Sequence, residues 1–256
     1  MPFPTLRALA LLGLALTVAP VASAQAPQFN AEQRREIGDV VKEYLLKNPE
    51  VLQEAIAELE RRQQEAQKVS QASALKDSRE ALLNSPHGNL VGNPQGDVTL
   101  VEFFDYNCGY CKRALSDVRT LMKGDPKLRV VLKDFPVLGP DSIEAARVAL
   151  GVKLQLKGEK LFDYHTRVLE TRGKVNGERA LAVAKEMGLD MGRLTKDMDG
   201  AEVRAALQEN MSLAEKLGLS GTPAFVVGDE VISGAVGAEP IRRTVAGVRQ
   251  CGKAVC

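Results

Sequence analysis

Cysteine is scarce in this chain. Its 256 residues hold four, Cys108, Cys111, Cys251 and Cys256, too few for a disulfide-built scaffold. Histidine is scarcer, with His87 and His165 alone. A metal ligand needs companions, so His87 reads as a solvated loop residue and His165 as a packed or exposed helical one. An excess of charge is also missing. The 34 basic and 33 acidic residues nearly cancel, which argues against nucleic acid or an anionic membrane surface as the main partner. Beyond the N-terminus no apolar run is long enough to cross a bilayer, and no internal repeat is evident.

What is present begins with a leader. "MPFPTLRALALLGLALTVAPVASAQAP" carries Arg7 in a short positive region, an apolar stretch from Leu9 to Val18 and the small-x-small site Ala22-Ser23-Ala24. This pattern predicts a secretory signal peptide cut after Ala24 and an exported, periplasmic protein, in a setting that permits disulfides, without stable membrane insertion. The 256 residues less 24 leave 232, enough for one core and an accessory region. Arg7 leaves with the leader, so 33 basic residues then balance 33 acidic ones.

Residues 25–83 read as a helical arm. Asn30 is a candidate cap, and Ile37, Val40, Val41, Tyr44 and Leu45 keep helical spacing up to Asn48-Pro49. A second helix is expected from Pro49 to Asn84, with an apolar stripe of Val51, Leu52, Ala55, Ile56 and Leu59 that thins afterwards. The arm has too little apolar surface to fold alone. Self-association through residues 30–60 is the expectation, with docking on its own catalytic domain as the alternative. Residues 84–97, rich in Asn, Pro, Gly and Asp, read as a linker.

From residue 98 the period changes. "VTLVEFF" at 98–104 and "LRVVLKDF" at 128–135 read as strands separated by a helix from Cys108 to Lys123. That order predicts parallel pairing through a crossover helix. Four amphipathic helices follow within 139–217, the first opened by a capping-box pattern, Asp141 to Glu144. "TPAFVVGDEVISG" at 222–234 reads as a hairpin turning at Gly228-Asp229. A last helix has Pro240 in its first turn, and residues 251–256 form a tail.

The chemistry is carried by Cys108-Gly109-Tyr110-Cys111 at the strand-to-helix junction. At a helix start, unpaired N–H groups and the helix dipole favour a thiolate, bringing the Cys108 pKa below the free-thiol ~8.5. Cys111, most of a turn further in, suits a resolving role. Two other readings remain. One is a structural disulfide, which would close a very small loop. The other is a zinc site completed by Cys251 and Cys256. "GTPAF" at 221–225 sharpens the redox reading, because a cis Pro223 facing the cysteines would explain a proline at a strand entry. Cys251 and Cys256 could close a small loop, stay free or form an auxiliary redox pair.

"VGNPQGDVTLVEFFDYNCGYCK" together with "GTPAFVVG" resembles the periplasmic thioredoxin-fold oxidoreductases of the DsbA/DsbC type, over roughly residues 88–250. The helical arm resembles the N-terminal region of the ScsC group, suppressors of copper sensitivity. The resemblance implies an α/β thioredoxin fold over 98–250 with a helical insertion at 139–217. It implies Cys108 as nucleophile, Cys111 as resolving cysteine, Pro223 as cis proline, and Thr222 as the residue whose backbone pairs with an extended substrate. It implies Glu102 as a buried acid passing a proton to or from Cys111; an exposed strand position is the alternative. No cofactor or metal is implied. Exported proteins with cysteines are the implied clients, and a membrane thiol reductase the implied redox partner.

Gly109 and Tyr110 tune the poise. Oxidase-type members often carry Pro-His there, whereas neither residue here brings a positive charge. With Thr222 before the proline, the pair resembles the isomerase members, which attack wrong disulfides from the reduced state. A monomeric oxidase is the runner-up, and copper sequestration by soft thiolates a third reading.

Overall fold

The computed structural model describes residues 29–256; the expected leader lies outside them. The chain divides into two compact units, with the boundary between Arg61 and Arg62. In the first, helix α1 (Ala31–Lys47) is opened by Asn30, whose side chain accepts from the Gln33 amide while the Gln33 side chain accepts from the Asn30 amide. This reciprocal cap satisfies two otherwise unpaired donors. The helix buries no residue, and Ile37, Val40, Val41 and Tyr44 are exposed. Helix α2 (Glu50–Asp77) begins after Pro49.

The expected second helix does not reach Asn84. It breaks at Ser78, and a short α3 (Arg79–Leu83) follows. The expected arm boundary at residue 83 also moves, because Leu75 and Leu82 are buried in the core of the second unit. Apolar side chains are worth roughly 1.5–3 kcal/mol each when fully buried, so these turns belong with the domain they cover.

The second unit is built on a five-stranded sheet in the order β1-β3-β2-β4-β5. Strands β2 (Val98–Phe104) and β3 (Leu128–Asp134) run parallel, joined by α4 (Gly109–Gly124). Strands β4 (Ala224–Val227) and β5 (Glu230–Ser233) form the expected hairpin, with β4 antiparallel to β2. Both faces of β2 are covered, which is why it reads as a nearly unbroken apolar run. Leu100 and Phe104 pack with Val118 and Leu121 of α4 and with Ile241 and Val245 of α10 (Ala238–Cys251). Val101 and Phe103 join the opposite cluster with Leu213 and Leu217.

Residues 84–97 are not a free linker. Asn89–Leu90 form β1, antiparallel to β3, and the Val91 amide donates to the Val130 carbonyl at 3.0 Å. The glycines of this stretch serve close approach. A Cβ on Gly92 would lie 2.6 Å from the Val130 amide nitrogen, and one on Gly96 2.5 Å from that of Arg129. Gly92→Ala should therefore cost about 1–3 kcal/mol, because the obstacle is backbone and cannot rotate away; urea unfolding of the variant beside the parent measures it. His87, expected to be solvated, faces Glu202 instead, with Nδ1 3.0 Å from the carboxylate.

The insertion between β3 and β4 is helical, as expected, but holds five helices: α5 (Pro140–Val152), α6 (Gly158–Glu170), α7 (Gly177–Glu186), α8 (Met191–Asp197) and α9 (Ala201–Lys216). Helix α8 escaped the periodicity because it buries one residue, Leu194. The capping box at Asp141 does not form. Gly139 occupies the cap at φ 104°, Pro140 takes the first helical position, and Asp141 pairs with Lys174 at 2.5 Å. Proline there loses no hydrogen bond and pre-sets the helical φ, so the helix starts two residues earlier than a cap at Asp141 would allow.

Candidate active site

Cys108 is the cap residue of α4, with φ −77° and ψ 117°, so its sulfur stands at the helix N-terminus. Five contributions act on it. The Cys111 thiol donates to the Cys108 sulfur, which is the largest. Burial opposes ionisation, while the Thr222 side chain and the backbone amides of Cys111 and Tyr110 favour it. The balance brings the Cys108 pKa down to about 5. In its thiol form Cys108 donates to the Thr222 carbonyl oxygen at 3.1 Å.

Cys111 is the opposite case. Burial pushes its thiol well above the ordinary range, and the hydrogen bond to Cys108 and the charge of Glu102 add to this. Cys111 has no exposed surface, whereas Cys108 keeps 6%. The two sulfurs are thus chemically distinct: one slightly exposed and easily ionised, one fully covered and held protonated.

The Thr222-Pro223 peptide bond is cis, as expected. Pro223 sits between the Thr222 carbonyl beside Cys108 and the Gly234 amide, which donates to the Pro223 carbonyl at 2.8 Å. Glu102 is buried at 1% exposure, which excludes the exposed-strand alternative. Lack of hydration pushes its carboxyl up to about 8, with smaller contributions from the negative charges of Asp117 and Cys108. Its Oε1 has no hydrogen-bond partner among the described residues.

Tyr110 is exposed, and the Arg113 guanidinium lies 4.3 Å from its ring centroid. The motif itself brings no cation, but Tyr110 recruits one from the next helical turn. Gly109 is not required by crowding, since a Cβ there would meet nothing within 4 Å.

Asp105 is a site residue that sequence reasoning missed. Its Oδ1 accepts from the Asn107 amide (2.8 Å) and the Ser142 hydroxyl (2.7 Å), and its Oδ2 from the Val137 and Leu138 amides (2.9 and 3.0 Å). Asn107 extends the frame, with its Oδ1 accepting from the Val175 amide at 2.7 Å. Together they tie the loop before Cys108 to the insertion. The local signal was the Asp-x-Asn turn chemistry. His165 packs in the core, as one expected reading had it. Its ring meets Phe104 edge-on at 4.5 Å, and burial drives its pKa down to about 3.

Cys251 and Cys256 are joined in a disulfide, while Cys108 and Cys111 are free. Among the described residues no helix is long and apolar enough to cross a membrane.

Comparison with known proteins agrees with this geometry. The DSBA-like thioredoxin domain matches residues 99–246, more than half of the chain. The chain belongs to the DSBA-like thioredoxin family. The N-terminal domain of the copper resistance protein ScsC matches residues 33–66. A thioredoxin-like oxidoreductase from Silicibacter pomeroyi is 42% identical and covers 68% of this chain and 98% of its own, with a TM-score of 0.64. ScsC of Proteus mirabilis, crystallised in a transitional conformation, is 29% identical over 85% of this chain and 95% of its own, TM-score 0.61. BcfH of Salmonella enterica Typhimurium is 29% identical over 84% of this chain and 95% of its own, TM-score 0.70. The chain spans about a quarter (24%) of the length of a Salinispora arenicola sodium–proton antiporter it also matches.

Proposed function

We propose that this protein is a periplasmic thiol–disulfide oxidoreductase acting as an isomerase or reductase on exported proteins that contain cysteines. The observation that carries the reading is the asymmetry of the pair, a slightly exposed Cys108 at a helix N-terminus, brought down to about 5, over a fully covered, protonated Cys111. The Cys108 thiolate attacks a client disulfide, forming a mixed disulfide and releasing one client sulfur. Either a client thiol then resolves it, which isomerises, or Cys111 does, which reduces. Glu102, as a carboxylate, takes the Cys111 proton in that second route. Thr222 and Pro223 offer backbone groups to an extended client segment beside the sulfur, and exposed Tyr110 flanks it.

The isomerase direction is supported by the uncharged Gly109-Tyr110 step and by the arm. Val40, Val41, Leu52, Ile56 and Leu59 are exposed on the first unit. In this reading they pack against the same residues of further copies through residues 30–60, presenting several sites to one client. A membrane thiol reductase would return the cysteines to the reduced state. A monomeric oxidase is the second reading, favoured by the low Cys108 pKa, since a stabilised reduced form makes a strong oxidant.

Rescue of a client with scrambled disulfides tests the reading, run with the protein after removal of its leader. Removing residues 29–61, and not the buried turns beyond them, should reduce the particle to one chain. Rescue should fall by about tenfold or more while Cys108 stays reactive. Unchanged particle mass with unchanged rescue would refute the role of the arm. An oxidase would instead accelerate disulfide formation in reduced clients and rescue none.

A further inference from the structure

The cations around Cys108 have no part in the chemistry so far. The chain is nearly neutral, with 34 basic and 33 acidic residues, so a local excess of one sign is made by the fold and not by composition. Such an excess forms at residues 171–176, between α6 and α7. Two hydrogen bonds seat this loop beside the nucleophile. Asn107, the residue before Cys108, donates through Nδ2 to the Val175 carbonyl at 2.8 Å. Lys112, whose own amide donates to the Cys108 carbonyl at 3.1 Å, donates through Nζ to the Thr171 carbonyl at 2.9 Å.

Arg179, near the start of α7, reaches the same loop and donates to the Arg172 carbonyl. Arg113 stands over the Tyr110 ring inside the motif. Arg113, Arg172 and Arg179 are exposed, and Lys112 is half-buried. Lys112 and Arg179 are thus held by carbonyls and Arg113 by a ring. Among the described residues none of the four cations pairs with a carboxylate, and the nearby acids are engaged elsewhere. Glu170 pairs with Arg119 at 2.7 Å, Asp141 with Lys174 at 2.5 Å, and Glu144 accepts from the Gly177 amide at 3.2 Å. Like charges gathered in this way repel. The Lys112 amine is held below its ordinary range, first by burial and then by the charge of Arg179. The fold tolerates the repulsion without neutralising it, so the positive charge remains available to an anion.

We propose that Lys112, Arg113, Arg172 and Arg179 form a recognition rim for acidic client segments, so that Cys108 reacts preferentially with disulfides whose cysteines have Asp or Glu close by in the client chain. The proposal rests on the exchange activity proposed for Cys108. A protein segment is the occupant because the cations surround a nucleophilic sulfur, and the groove that Thr171, Arg172 and Arg179 help to line is open. An extended chain can lie there with its disulfide at Cys108. Client carboxylates supply the counter-charges that the fold withholds. Exposed pairs of this kind add little strength singly. Their joint effect is on the rate of encounter, which a local excess of charge raises for the opposite sign and salt suppresses.

The test uses the whole reduced chain and three peptides, each carrying one cysteine in a disulfide with a neutral thiol. They differ only in the residues flanking the cysteine, which are Glu, Gln or Lys. Each rate of mixed-disulfide formation is divided by that of mercaptoethanol on the same peptide, which removes the effect of the flanking charge on the disulfide itself. At low ionic strength the Glu peptide should react about tenfold faster than the Lys peptide, with Gln between them. The ratio should approach one as salt rises. Arg113→Glu/Arg172→Glu should reverse the order, an outcome that loss of fold does not produce. Equal rates for the Glu and Lys peptides at low salt, or an order unmoved by the double variant, would overturn the rim and leave the exchange reading standing. No mixed disulfide with any of the three peptides would sink the exchange reading, and the rim with it.

Discussion

Cys108→Ser should lower disulfide exchange by about 10³-fold or more, because it removes the nucleophile itself. Its fold should be unaffected, since a serine of similar size caps a helix well. Substitutions at Cys111 should separate two roles. Cys111→Ser keeps a hydroxyl donor aimed at Cys108, so the low ionisation should persist and mixed disulfides with clients should accumulate, having lost the internal thiol that releases them. Cys111→Ala removes the donor that contributes most to the Cys108 thiolate. The Cys108 ionisation should then rise by about one unit or more. Alkylation rate at Cys108 against pH separates the three variants. Equal profiles for the serine and alanine variants would show that the hydrogen bond is not what holds the thiolate.

Glu102→Gln should make the reduced protein more resistant to unfolding at high pH and slower to release bound client. The carboxyl is pushed up from an ordinary 4.5 to about 8, chiefly by burial. Between those values the folded state holds a proton that the unfolded chain has lost. Stability therefore falls as pH rises through this window, by 1.36 kcal/mol for each unit at full effect. The whole interval amounts to roughly 3–5 kcal/mol above pH 8, and the glutamine variant should lack it. Parent and variant should unfold at similar urea concentrations near pH 4 and diverge steadily toward pH 9. Release of a trapped mixed disulfide by Cys111 should slow about a hundredfold in the variant, the usual scale for losing a general base. Attack by Cys108 should not slow, because Glu102 acts on that sulfur only as a distant negative charge. Parallel stability curves would show that Glu102 is charged in the folded protein at all these values.

What was legible in the sequence was mostly local. β2 is announced by "VTLVEFF", whose one charged residue, Glu102, lies inside the core and not on a solvent face. The Asn30 cap, the Gly228-Asp229 hairpin and the proline beside the cysteines each depend on a few neighbouring residues, so pattern and turn chemistry reached them. The misses share a different cause. β1 is two residues long and exists because β3 offers it an edge. Asp105 gains its place from amides at Val137 and Leu138, more than 30 positions away. His87 meets Glu202 across 115 positions. No local pattern encodes such pairings, and Asn, Gly and Pro in 84–97 signalled a turn without saying what lay beneath it. Asp141 shows the converse error: a valid capping pattern was overridden by Gly139 and Pro140 just before it.

The ionisation of one sulfur tests the account most directly. The reduced protein should be alkylated across a pH series, with the modification read at Cys108 by peptide mass. The account predicts a midpoint near about 5, with Cys111 unmodified throughout. A midpoint at the free-thiol value of ~8.5 would contradict it, and with it the helix-end chemistry on which the proposed exchange depends.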